Sequence, residues 1–121
     1  MIQVSSKINI IDNSGAKYSK VIRILGGNRT NPAKLGSTLV ITVKKARSNA
    51  KIKKGEVHKL KILRGKNLIR RKDGTILNFD NNGGVILNEQ LAPVASRIFG
   101  PLARELKKNH GKMTSLAKKM Y

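Results

Sequence analysis

Lys59-Leu60-Lys61-Ile62-Leu63 decides the fold: cations and hydrophobes alternate with a period of two, the spacing of a strand that buries one face and exposes the other. The stretch lies inside a run, residues 44–72, that holds thirteen lysines and arginines against one acid, Glu56. A segment this basic would ordinarily stay unfolded, because self-repulsion and sparse apolar side chains do not offset the entropy of ordering the chain. Apolar residues threaded through it at strand spacing imply a folded surface that meets a polyanion.

Working outward, residues 57–63 are a strand that returns from a protruding basic connection or ribbon at 44–55, where charge peaks and apolar content falls. Before it, Leu39, Ile41 and Val43 share one face of another strand, and residues 28–36, with Pro32 and Gly36, read as a loop. Residues 18–25 alternate and are closed by Gly26-Gly27. Asp12-Asn13-Ser14-Gly15 is a turn whose glycine can take positive φ, and Ile2, Val4, Ile8 and Ile10 fit a first strand pair or one bulged strand. Downstream, residues 75–79 follow the Asp73-Gly74 turn, and residues 85–87 are reached through Asp80-Asn81-Asn82-Gly83-Gly84. Strands separated by about ten residues and by Gly and Asn turns predict a mostly β protein, a small closed barrel over residues 1–95 of a single domain, 1–121. Residues 96–121 are expected to form a helical extension: Pro101 suits a first helical turn, Leu102 and Leu106 would share a face, and Asn109 and Gly111 would end it. A last short helix would carry Leu116 and Met120 on one side.

The whole chain has 26 Lys+Arg against 6 Asp+Glu, a net charge of +20 in 121 residues. Such self-repulsion destabilises a compact monomer unless a partner neutralises it, and solubility alone needs a net charge of only ~2–8. The expected partner is nucleic acid. No apolar run of about 18 residues and no signal-peptide stretch appears, so no membrane partner is expected. Absence of cysteine removes disulfides and thiolate chemistry and fits a reducing compartment. No presequence rich in arginine and serine precedes the first alternating residues, so the chain is expected to be made where it works or to be already processed.

No enzymatic chemistry is legible. His58 and His110 stand far apart with no carboxylate pair to complete a metal site, and the acids are scattered. Ser14, Ser37 and Ser96 sit in no nucleophile motif, and the Gly pairs match neither a phosphate loop nor a dinucleotide fingerprint. No cofactor, metal or small-molecule substrate is expected. The ring inventory, Tyr18, Phe79, Phe99 and Tyr121, is too small for a single-strand stacking platform, with both Phe expected partly in the core. Lysines outnumber arginines 18 to 8, which favours neutralising phosphates over bidentate base reading. The mode expected is phosphate contact and shape recognition on folded RNA. A free RNA- or DNA-binding barrel is the alternative.

Several motifs then carry a family resemblance. Asp12-Asn13-Ser14-Gly15-Ala16, Leu25-Gly26-Gly27 and Lys53-Lys54-Gly55-Glu56-Val57 occur in order. They are followed by Arg70-Arg71, Asp73-Gly74, Phe79, Asn82 and Val85-Ile86, then Arg97-Ile98-Phe99-Gly100-Pro101, Arg104-Glu105-Leu106 and Ser115-Leu116-Ala117. In that order and spacing the chain resembles the large-subunit ribosomal protein family fourteen along nearly its full length. The resemblance implies a five-stranded β-barrel with a projecting basic ribbon and a short C-terminal helical part. It also implies a structural role in the large ribosomal subunit, with binding to large-subunit rRNA, neighbours of the L-three and L-nineteen families, and an intersubunit bridge to small-subunit rRNA. The residues assigned to rRNA are Lys44, Lys45, Arg47, Lys51, Lys53, Lys54, Arg70, Arg71 and Lys72. In bacterial and organellar relatives a ribosome silencing factor docks on the C-terminal part; the matching positions here are Ser96, Arg97 and Lys112, with Ser96 where the family usually has threonine.

Three departures from the family pattern stand out: Asn81 replaces a glycine, Gly83-Gly84 replaces an Ala-Cys-like pair, and the tail Lys118-Lys119-Met120-Tyr121 is more basic than is usual. Lysine, isoleucine and asparagine together supply 42 of 121 residues, the bias of an A/T-rich genome. The expected site of action is therefore the mitochondrial ribosome, the alternatives being a plastid or a bacterial cytoplasm.

Overall fold

In the computed structural model, residues 2–25, 33, 35–66, 69–107, 111–117 and 120 are described, without the side chains of 112 and 113. The Gly26-Gly27 turn, Pro32, Asn109 and the Lys118-Lys119 and Tyr121 positions of the tail lie outside the described residues. Five strands close into a barrel: β1 (Lys7–Ile10), β2 (Ala16–Ile24), β3 (Thr38–Ala46), β4 (Val57–Arg64) and β7 (Gly83–Leu87), in the order β1-β2-β3-β4-β7. Neighbours are antiparallel except at the seam, where β7 runs parallel to β1 with Asn9 opposite Gly83 and Ile10 opposite Gly84. The alternation read from the sequence holds the interior together. Leu39, Ile41 and Val43 of β3 meet Leu60 and Ile62 of β4, Ile8 of β1 and Ile86 of β7, all fully or almost fully buried.

Two strand expectations change. Of Ile2, Val4, Ile8 and Ile10, only the last two lie in β1: Ser5 takes a φ of 73°, breaking the strand, so Val4 is exposed and Ile2 bridges to Ala33. The strand expected at 75–79 contracts to β6 (Ile76–Leu77), which pairs with β5 (Ile69–Arg70) outside the barrel. The cause is local. Asp73 Oδ1 accepts hydrogen bonds from the Thr75 amide and hydroxyl, Gly74 takes a φ of +88°, and the Arg71 amide donates to the Thr75 carbonyl, so the chain folds back on its immediate predecessor.

All five residues of β7 are buried, although side chains on a strand alternate in direction. Its outward residues, Val85 and Leu87, join Leu63 and Ile11 in a second apolar cluster covered by Ile98, Leu102 and Leu106. The covering segment runs beside the end of β1: Asp12 bridges Ile98, and the Phe99 amide donates to the Ile11 carbonyl. Among the described residues of this C-terminal part, helix amounts to a 3₁₀ turn, Arg104–Lys107, and an α turn, α1 (Gly111–Thr114). Pro101 lies ahead of both, and Gly111 begins a turn where the sequence suggested an end. Leu102 and Leu106 are buried together as expected, but Leu102 is held in an extended bridge to Met120, and Ile98 in another to Ala117. Phe79 is buried; Phe99, expected partly in the core, is 48% exposed, because its backbone spans from Ile11 to Arg64 and turns the ring outward. No described helix is long and apolar enough to cross a membrane.

The Gly83-Gly84 pair occupies the seam. A Cβ on Gly84 would run into the Leu60 side chain and lie 2.7 Å from the Lys61 carbonyl oxygen, so in this chain β4 and β7 would have to shift to admit a side chain there. Gly84→Ala is expected to lower stability by about 1–3 kcal/mol through overpacking, read as a reduced urea midpoint with an unchanged m-value.

Candidate nucleic-acid interface

Three connections meet at one end of the barrel: 11–15 between β1 and β2, 47–56 between β3 and β4, and the chain leaving β7 through 88–97. Asp12 and Asn13 tie them together. The buried Asp12 carboxylate accepts from the Ser14 amide and hydroxyl with one oxygen and from the Ile86 amide of β7 with the other, at 3.1 Å. Asn13 Oδ1 accepts from the amides of Ser96 and Arg97 at 3.1 and 3.2 Å, and its Nδ2 donates to the Ser96 hydroxyl. The backbone that carries Ser96 and Arg97 is therefore held by a side chain more than eighty positions away, and both residues are exposed.

Lys44 and Lys45 belong to β3 itself, both exposed. The basic connection beyond them is anchored at three points. The Arg47 amide donates to the Gly15 carbonyl, Ile52 is buried in the barrel core, and the Gly55 amide donates to the Val43 carbonyl. Gly15, at a φ of +97°, leaves no room for a side chain against Ala50. These anchors expose Arg47, Lys51, Lys53 and Lys54. Their one acidic neighbour in the run, Glu56, pairs with His58 Nε2 at 2.7 Å, and that hydrogen bond holds its carboxyl below the usual range. Arg47 and Lys51 line an open concavity of about 350 Å³ together with Asn13, Ser14 and Ser96.

Arg70 and Lys72 lie elsewhere. The β5–β6 hairpin leaves from the far end of β4, whose eight residues span about 25 Å at strand rise. The continuous basic run of the sequence is thus two surfaces at opposite ends of the barrel. Arg70 and Lys72 are exposed, whereas the Arg71 guanidinium forks onto Glu105 through Nε at 2.8 Å and a terminal nitrogen at 3.2 Å, tying the hairpin to the 3₁₀ turn. The Arg71 hydrogen bond holds the Glu105 carboxyl below its ordinary range. Ser96 and Arg97 stand on the Arg47 side of the molecule; the side chain of Lys112 lies outside the described residues.

Sequence reading passed over Arg64. Its terminal nitrogen donates to the Phe99 carbonyl at 2.9 Å, and the side chain fits against Gly83 and Gly100, where a Cβ on Gly100 would meet the guanidinium at 2.6 Å. Burial lowers its pKa. Nothing in its sequence neighbourhood marked it, since its partners are nineteen or more positions distant.

The fold and surface together define a small closed β-barrel protein, strongly basic, with cationic side chains held at both ends. A family model described as ribosomal protein L14p/L23e matches residues 1–121. The chain is 43% identical over 122 residues to the large ribosomal subunit protein uL14 of Petrotoga mobilis (strain DSM 10674 / SJ95), covering all of both chains. The chain belongs to the ribosomal protein L14p/L23e family and is a structural, non-enzymatic constituent of the large ribosomal subunit.

Asn13→Ala removes three hydrogen bonds, worth about 1 kcal/mol each at most where solvent competes. The expected result is loss of hydrogen-exchange protection at the Ser96 and Arg97 amides while β3 and β4 amides keep theirs. A depressed carboxyl pKa stabilises the fold above the ordinary value near 4.5, and that stability is lost as pH falls through the lower, folded value. Glu105→Gln should therefore lower the melting temperature slightly at pH 6–7 and converge with the parent protein as pH falls through the lowered carboxyl value, the difference staying within ~1 kcal/mol because the pair is solvent-screened.

Proposed function

We propose that the protein is built into the large subunit by binding large-subunit rRNA at both ends of its barrel. Lys44, Lys45, Arg47, Lys51, Lys53 and Lys54 neutralise phosphates at one end, and Arg70 and Lys72 at the other. Arg71 acts with them by fixing the hairpin's direction through Glu105. The observation that carries this reading is the concavity in which Arg47 and Lys51 meet Ser96: cations on an anchored loop, beside a hydroxyl on anchored backbone, meet an RNA backbone without first paying to order a flexible chain.

On the same reading Ser96 and Arg97, with Lys112, form the face toward small-subunit rRNA at an intersubunit bridge and the docking site of a silencing factor. Neighbours of the L-three and L-nineteen families complete the surroundings. One domain, 1–121, carries all of this. The compositional bias toward Lys, Ile and Asn supports a mitochondrial ribosome, while the uL14 of Petrotoga mobilis supports the bacterial cytoplasm instead.

Purification of the tagged protein from its source in high salt, followed by sequencing of the retained RNA, tests the reading and settles the compartment. Expected are large-subunit rRNA and co-sedimentation with the large subunit, because contact without shape recognition weakens steeply as salt rises. Loss of all RNA, or recovery of mixed RNA and DNA, would make the protein a general polyanion binder. Arg97→Glu is expected to abolish capture of the purified silencing factor in a pull-down, by removing a charge-assisted contact.

A further inference from the structure

The C-terminal segment covers the outer side of β7 and the end of β4 at Leu63 and Arg64, but leaves Lys7, Lys20, Arg23 and Lys59 of β1, β2 and β4 exposed, and the charge there is one-sided. Strands β1 to β4 contain no acidic residue. All six acids of the chain, Asp12, Glu56, Asp73, Asp80, Glu89 and Glu105, lie in turns, connections or the C-terminal part.

Cations face one another across this surface in register. Lys7 of β1 is directly opposite Lys20 of β2, both exposed. Like charges in that position destabilise a sheet, and a strand pair selected for stability alone would place an acid on one side. In place of a carboxylate, the Lys7 ammonium sits over the Tyr18 ring, 4.2 Å from its centre. Tyr18 is in turn opposite Lys45 of β3. Farther along, Arg23, Val40 and Lys59 stand side by side on β2, β3 and β4. Lys45, Tyr18, Lys7, Lys20, Arg23 and Lys59 thus share one sheet face, interrupted by Val40 and Thr42 and without an acid, its cations fixed by backbone pairing rather than by a loop.

We infer that this sheet face is a further rRNA-binding surface, distinct from the two barrel ends, and that Lys7, Lys20 and Arg23 each contact a phosphate there. The inference rests on the reading of the chain as an rRNA-binding protein. The Tyr18 ring offsets part of this cross-strand repulsion; a polyanion laid across the strands relieves the rest, and release of its counterions drives the association. An acidic protein segment would also neutralise these charges. The lysine-rich composition of the face and its continuity with Lys45 at the basic end favour RNA backbone.

The test compares three proteins on transcribed large-subunit rRNA at about 50 to 200 mM salt. They are the parent, Lys7→Gln/Lys20→Gln/Arg23→Gln, and Lys53→Gln/Lys54→Gln. All replaced side chains are exposed, and melting temperatures equal to or above the parent's would establish that the variants fold. Each lost phosphate contact lowers the slope of log affinity against log salt by roughly 0.9, so the triple variant should lose about 2–3 units. If the parent shows no preference for this rRNA over unrelated RNA, the ribosomal reading itself fails. If the parent binds and the Lys53/Lys54 variant loses slope while the triple variant does not, the sheet face is no RNA surface and the inference is overturned. An unchanged slope with lost incorporation into subunits would likewise overturn it and assign the face to a protein neighbour.

Discussion

Closure of the barrel at β7 is the constraint on which the remaining architecture depends. This strand pairs antiparallel to β4 and parallel to β1, so its five residues are enclosed laterally, and its glycines let two backbones approach where Leu60 already fills the space. A strand placed there carries apolar residues on both sides. The inner ones complete the barrel core, while the outer ones, Val85 and Leu87, must be covered by another part of the chain. The segment through Ile98, Leu102 and Leu106 does this, and Ile11, Asn13 and Arg64 hold its approach in place with hydrogen bonds to Phe99, Ser96 and Arg97.

That arrangement also distributes the charge. A chain of net charge +20 can fold only if its cations are kept apart or neutralised, and the barrel does the first by sending them outward on strands and to both ends. The basic connection 47–56 is anchored by backbone and apolar groups: Ile52 in the core, Gly15 against Ala50, and backbone amides donating to the Gly15 and Val43 carbonyls. Lysines there are left to solvent, where side-chain charge is available to a partner. At the other end Arg71 is used differently: its planar fork serves Glu105 and braces the hairpin that displays Arg70 and Lys72.

A structural ribosomal protein needs rigid presentation more than a reactive centre, and the geometry matches that need. Ser96 and Arg97 leave no secondary-structure element and would be unconstrained in isolation. Asn13 fixes them by accepting both amides, and Asn13 is itself fixed because Asp12 is bonded to β7. Position is passed from the barrel to the exposed surface through two adjacent side chains of one turn.

Much of this was legible in the residues themselves. Period-two alternation at 39–43 and 59–63 exposes strands because a sheet side chain has only two directions, and Gly and Asn turns mark where they end. Composition alone announced a polyanion partner, and ordered motifs announced the family. What the sequence could not convey was distance. Residues 44–72 read as one basic run, yet β4 lies within it and carries its two halves about 25 Å apart. Asp12-Asn13 read only as a turn, because the Ile86, Ser96 and Arg97 amides it also binds are more than seventy positions away. Arg64 and Lys7 looked like ordinary charges until β7, Gly100 and Tyr18 were brought beside them. Local pattern determines strands, turns and charge, since these follow from neighbouring residues. Which cations share a surface, and which polar groups hold it, was decided only when strand pairing made distant residues neighbours.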